Sequence, residues 1–138
     1  MLFDAGDNNV ARYKLTSGAL TTDTGGDGNG LTLTNVGSVT NTAGFLGGAN
    51  TAALLASGKY LTSASHAALN FSTALTISAW IKLTSGISYY HVVSKSRLTT
   101  DRSYEFYYNV PSSCMTLLLS TGTGGTAGIS ADAIPYNT

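Results

Sequence analysis

An all-β fold of antiparallel strands packed as a β-sandwich is the class this chain predicts. Three observations point to it. Gly, Asn, Asp, Ser and Thr interrupt the sequence about every 8–12 residues, the spacing of strands and turns in a sandwich. The runs between them are rich in Val, Ile, Tyr, Phe and Thr, which fit a pleated, half-buried surface. Two runs alternate with period 2: Ile77, Ala79 and Ile81 against Thr76, Ser78, Trp80 and Lys82, and Tyr104, Phe106 and Tyr108 against Glu105 and Tyr107.

In chain order the expected strands are NVARYKL (9–15), GLTLTNVGSV (30–39), KYLTSA (59–64), LTISAWIKL (75–83), YYHVVSKSR (89–97), SYEFYYNV (103–110), CMTLLLS (114–120) and GISADA (128–133). Glycine-rich turns are expected at 17–30 and 120–128. GANTAALLASG (48–58) reads either as a short helix or as an alanine-lined strand, and SASHAALNF (63–71) has room for a single helical turn. In SYEFYYNV aromatic residues fall on both faces. Either a central strand is covered on each side, or an outer face offers tyrosines to a ligand.

Length bounds the organisation. At 138 residues the chain is sized for one domain, or for part of one, with a core of its own. Charged residues are 10 %, against about 25 % in an average domain, and Thr, Ser, Gly and Asn fill the deficit. The surface is therefore neutral and hydroxyl-rich. Seven basic and seven acidic residues are scattered singly, so no basic stripe is present to neutralise a phosphate backbone or an anionic membrane surface. Hydrophobic residues make up 43 %, including 8 Tyr and 4 Phe, which opposes disorder. Cys114 is the single cysteine, excludes an internal disulfide, and reads as a small buried hydrophobe. The first residues show no basic segment followed by an apolar run, and no stretch approaches the roughly 18 apolar residues of a membrane span. Glycans and other proteins remain as partners.

The titratable residues offer little to catalysis. The carboxylates are Asp4, Asp7, Asp23, Asp27, Asp101, Asp132 and Glu105. Glycoside hydrolysis needs two carboxyls flanking the bond, yet Glu105 has Ser103 and Tyr107 at the alternate positions of its strand, and Asp101 falls in a turn-like TTDRS. His66 and His91 stand in no metal-ligand or nucleophile motif, and GGDGNG lacks the residues of a phosphate-binding loop. The densest set of hard oxygen ligands is DTGGDGNG (23–30): Asp23, Asp27 and the Asn29 carbonyl, with glycines that let backbone carbonyls turn inward. It reads either as a calcium loop or as a plain turn, since Asp-Gly and Asn-Gly are common turn formers and the spacing is not that of an EF-hand.

The ordered blocks VARYKLTSG, DTGGDGNGLTLTNVGSV, GGANTAALLASGKYLTSASHAALNF, LTISAWIKL and HVVSKSRLTTDRSYEFYYN resemble those of laminin-G-like, concanavalin A-like jelly-roll domains over roughly residues 10–119. The anchor is the stretch from Thr76 to Lys82, with Val93 to Lys95 and Tyr104 to Phe106 as weaker support. The resemblance implies two antiparallel sheets, one concave, used for binding sugars or proteins, often with calcium. It also implies that Trp80 packs inside the fold. The family continues after a motif like Tyr136–Asn137–Thr138 with a tryptophan-histidine strand and a hairpin. The chain is therefore expected to be a portion of a longer protein, a reduced domain, or one completed by neighbours.

Two functions follow as expectations. One is a noncatalytic recognition module for glycan or a surface protein, with Tyr89, Tyr90, Arg97, Arg102 and Tyr107 supplying stacking faces and donors, and with calcium at Asp23, Asp27 and Asn29. The other is a structural subunit of a virus particle or extracellular filament, completed by copies of itself. Both place the protein outside the cell or on a virion surface, without nucleic acid and without membrane insertion.

Overall fold

Side-chain amides and hydroxyls, more than long ladders, shape the first half of the chain. The computed structural model describes residues 9–25, 29–45, 47–71, 74–83, 88–95, 104–120 and 126–130, and it divides into two units, Met1–Leu69 and Asn70–Thr138.

In the first unit β1 (Thr34–Val36) pairs antiparallel with β4 (Tyr60–Thr62), and β2 (Thr40–Thr42) pairs antiparallel with β3 (Ala52–Leu54). Each strand is 3 residues long. Two-stranded ribbons are marginal in water, so the turns carry much of the order. Asn35 closes the β1–β2 turn: its Oδ1 accepts from the Val39 N–H at 2.8 Å and its Nδ2 donates to the Val39 carbonyl at 2.9 Å. Asn41 Nδ2 donates to the Leu15 carbonyl at 2.8 Å. Across the β2–β3 loop Thr51 Oγ1 accepts from Gly44 N–H and donates to the Gly48 carbonyl. Leu31 and Val39 are the buried hydrophobic residues described in this unit. Gly37, at φ 73°, lies against the Gly58 carbonyl, so a β-carbon there would collide with backbone.

Of the predicted elements here, NVARYKL (9–15) is reduced to an isolated bridge between Tyr13 and Asp23, because its polar groups go to the Asp23 turn rather than to a ladder. GANTAALLASG (48–58) resolves in favour of strand over its centre, where the alanines of β3 pack with low profile against β2. SASHAALNF holds its single helical turn, a 3-10 turn at Ala67–Leu69.

The second unit is a 4-stranded antiparallel sheet in the order β5 (Tyr89–Lys95), β6 (Tyr104–Asn109), β7 (Cys114–Ser120), β8 (Thr126–Ser130). Alternation divides β6 as the sequence predicts. Tyr108 is fully buried and Tyr104 is 7 % exposed on one face, with Phe106 between them, while Glu105 and Tyr107 take the other face. Burial pushes the Tyr104 phenol above its ordinary pKa. Phe71 tilts against Tyr104 with centroids 5.6 Å apart, and Lys95 Nζ donates to Asn70 Oδ1, which brings residues 70–71 over that end of the face.

LTISAWIKL departs from expectation. Residues 74–83 join no ladder, and Trp80 is 82 % exposed instead of packed in a core. Period-2 burial persists only at Leu75 and Ile77, which are half-buried between the exposed Thr76 and Ser78. An alternating pattern describes which side chains would share a face; without a paired strand there is no sheet to seat the larger one.

Tyr108→Ala is expected to cost about 3–5 kcal/mol, the range for removing a fully buried aromatic ring. Gly37→Ala is expected to cost more than the roughly 1–2 kcal/mol of a left-handed non-glycine residue, because of the Gly58 carbonyl. Urea unfolding measures both losses, and hydrogen exchange at the β6 and β1 amides locates them.

Candidate functional site

Three aromatic residues meet on one face of the β5–β6 hairpin. The register sets His91 opposite Tyr107 and Tyr89 opposite Asn109, so Tyr89, His91, Tyr107 and Asn109 share a face. Tyr89 lies edge-on to Tyr107, with centroids 5.5 Å apart and planes at 85°, and His91 tilts against Tyr107 from the other side at 5.4 Å. Tyr107 is half-buried at the centre, while Tyr89 is 55 % exposed and His91 is also exposed. Cross-strand aromatic pairs of this kind contribute about 0.5–1.5 kcal/mol beyond burial, which accounts for their contact. It does not account for leaving over half of Tyr89 in water.

The face has polar neighbours. Glu105 and Ser94 oppose each other one step along, and on β7 Thr116 and Cys114 stand opposite Tyr107 and Asn109. Thr116 and Cys114 are buried, with Sγ and Oγ1 3.8 Å apart. Asn109 Oδ1 is buried without a hydrogen-bond partner. An unmade acceptor of this kind costs about 1–3 kcal/mol.

Of the predicted binding residues, Tyr89 and Tyr107 are brought together. Tyr90 goes to the opposite face, in register with the buried Tyr108, because adjacent residues of a strand point apart. Arg97 and Arg102 lie outside the described residues. His91 is the member that sequence reading passed over. Its signal was its place two residues after Tyr89, on the same face.

The expected calcium turn is built differently. Asp23 Oδ1 accepts from the Arg12 N–H at 3.0 Å and the Gly25 N–H at 2.8 Å, and its Oδ2 accepts from the Leu31 N–H at 3.1 Å. Asn29 Nδ2 donates to the Val10 carbonyl at 3.0 Å. A carboxylate has about four lone-pair positions, so Asp23 has little left for a cation that takes six to eight oxygens. Asp27 lies outside the described residues, and among the described residues no group of three or more His, Cys, Asp or Glu converges. Partial burial pushes the Asp23 pKa up, but the three N–H groups outweigh it and hold the carboxyl below its ordinary 3.8.

No family model, no curated protein and no solved structure matches this chain.

Because the folded Asp23 carboxyl titrates below the unfolded one, its contribution is fully present above about pH 4 and is lost as the pH falls through the folded value. Asp23→Asn is expected to lower stability at pH 7 by about 1–2 kcal/mol, discounted for its partial exposure. The variant should also lose stability less steeply than the parent below about pH 4. Thermal melts of both proteins across that range measure the difference.

Proposed function

We propose that this chain is a noncatalytic recognition module that binds glycan through the Tyr89–Tyr107–His91 face. The observation that carries the reading is Tyr89: a large aromatic ring 55 % exposed on a sheet face, braced edge-on by a second tyrosine and flanked by polar groups. A fixed aromatic ring presents a flat apolar surface to the C–H face of a sugar, and Glu105 and His91 beside it exchange hydrogen bonds with hydroxyls. The neutral, hydroxyl-rich composition fits such a partner. In this reading the antiparallel sheets belong to a laminin-G-like, concanavalin A-like sandwich displayed on an extracellular or virion surface. Calcium at Asp23, Asp27 and Asn29 would compete with the three N–H groups that Asp23 already accepts. Melting the protein with and without calcium tests that part separately.

A second reading is favoured by the first unit. Phe45 is 76 %, Tyr60 52 %, Leu54 50 % and Leu55 49 % exposed there, on or beside ribbons of short strands. Exposed large apolar side chains suit a structural subunit whose neighbours cover them. Light scattering tests it: a defined oligomer or polymer supports assembly, and a monomer at high concentration counts against it.

For the recognition reading, the full chain on a glycan array is expected to retain a sugar class that Tyr89→Ala and Tyr107→Ala each bind at least about tenfold more weakly. Tyr89→Ala should do so with a loss of stability of only about 1 kcal/mol, the order of one cross-strand aromatic pair. Unchanged binding in both variants removes the aromatic face from the site.

A further inference from the structure

We propose a second binding site, in the first unit and independent of the aromatic face, that takes a single neutral sugar ring. A cleft of about 180 Å³ lies between two segments, Asn29, Gly30, Leu31 and Thr32 on one side and Ser63, Ala64, Ser65 and His66 on the other. Its size is below the roughly 300 Å³ at which pockets admit drug-sized ligands, so it has room for one ring and not for a chain.

The lining contains no Asp, Glu, Lys or Arg. Its polar residues are Asn29, Thr32, Ser63, Ser65 and His66, of which Asn29 Nδ2 and the Ser63 hydroxyl already donate to the Val10 and Ala64 carbonyls, and beside them stands Leu31, which is 6 % exposed. Without a fixed charge to compensate an ion, the chemistry matches a neutral polyol: hydroxyl donors and acceptors at the rim, and one apolar contact for a C–H face.

Hydrogen bonds hold the 29–31 side, while Ala64, Ser65 and His66 across from it are exposed. Leu31 is held by its N–H to Asp23 Oδ2 and by its carbonyl, which accepts from the Tyr13 hydroxyl. Asn29 is anchored through Nδ2 to the Val10 carbonyl, and Gly30 takes φ 59°, a left-handed conformation open to glycine. On the other wall His66 Nδ1 accepts from the Ala68 N–H at 3.2 Å, so the neutral imidazole carries its hydrogen on Nε2, as a donor. A side already held reduces the entropy lost on binding, which matters most for a ligand with few atoms.

The test is a titration of the isotopically labelled full chain, followed by NMR, with the methyl glycosides of glucose, galactose and mannose, and with acetate as an anionic control. The expected result is saturable shifts at the 29–32 and 63–66 amides with at least one glycoside, at a Kd on the order of millimolar. Ser65→Trp, which fills the cleft from an exposed position, should weaken binding at least about tenfold, and Tyr89→Ala should leave it unchanged. Thr32→Val is the second variant, expected to weaken binding about threefold or more by removing one hydroxyl. Affinity kept when the ring ends a disaccharide assigns the site to glycan termini, and affinity confined to the single ring assigns it to free sugar; both support the cleft. No saturable shift with any of the three glycosides overturns it. So do acetate shifts larger than the sugar shifts, or binding that both cleft variants leave intact.

Discussion

One carboxylate ties the first unit together. Asp23 collects backbone N–H groups from positions 12, 25 and 31, and each of those bonds closes a loop whose ends would otherwise drift apart. Thr24 repeats the closure, its N–H and hydroxyl both donating to the Arg12 carbonyl, and the Leu33 N–H donates to the Thr21 carbonyl just beyond. A neutral hydrogen bond nets about 0.5–1.5 kcal/mol and one to a charged group about 1.5–3; discounted for the partial exposure of Asp23, the three together compare with the roughly 1.5–3 kcal/mol of burying one leucine. That comparison decides the character of the unit. Leu31 and Val39 are its buried hydrophobic residues among those described, and Leu31 is itself one of the residues Asp23 holds. The polar clamp sets where the apolar residue goes.

The second unit rests on the opposite kind of interaction. Its strands are five to seven residues long and its order comes from the ladders along them, with Tyr104 and Tyr108 buried on one face of β6. Tyr104 and Tyr108 are aromatic rings of a kind that the buried side chains of the first unit, Leu31 and Val39, do not supply. The chain thus uses two means of holding a β structure: polar braces where the strands are short, aromatic burial where they are long. The low charge content suits both, since each fixed charge left near a sheet would need water or a partner.

What was legible in the sequence follows this division. β6 and β7 could be read almost to the residue, because aromatic and aliphatic residues at period 2 report a ladder with a buried face. β2 could not, because TNT carries no hydrophobic alternation, and β3 was open between helix and strand; the Thr51 and Asn41 bonds brace the ladder they form. The Asn and Thr that composition assigns to a sugar-binding surface are in several places structural: Asn29, Asn35, Asn41 and Thr51 all bond to backbone. Residue counts cannot separate the two uses, since an amide bracing a turn and an amide facing a ligand are the same residue type. Trp80 shows the converse limit. Its strand pattern was the clearest in the chain, yet residues 74–83 form no strand and the ring is 82 % exposed.

The aromatic face depends on a single inserted residue. Between His91 and Val93 the β5–β6 register slips, so that Val93 opposes Phe106 after His91 has opposed Tyr107. In an unbroken strand, alternation would put positions 89, 91, 93 and 95 on one face, and Val93 and Lys95 would extend the row of Tyr89 and His91. The bulge at Val92 changes the phase. Val93 and Lys95 turn to the side of Tyr90, Phe106 and Tyr104, where Lys95 reaches Asn70, and Ser94 joins Glu105 on the aromatic side. The exposed face therefore ends in a hydroxyl and a carboxylate instead of a valine and a lysine. An apolar stripe on an outer strand invites pairing with another sheet, and a bulge also breaks the regular row of backbone groups that such pairing needs. The same inserted residue confines the three aromatic rings to a short patch with polar neighbours.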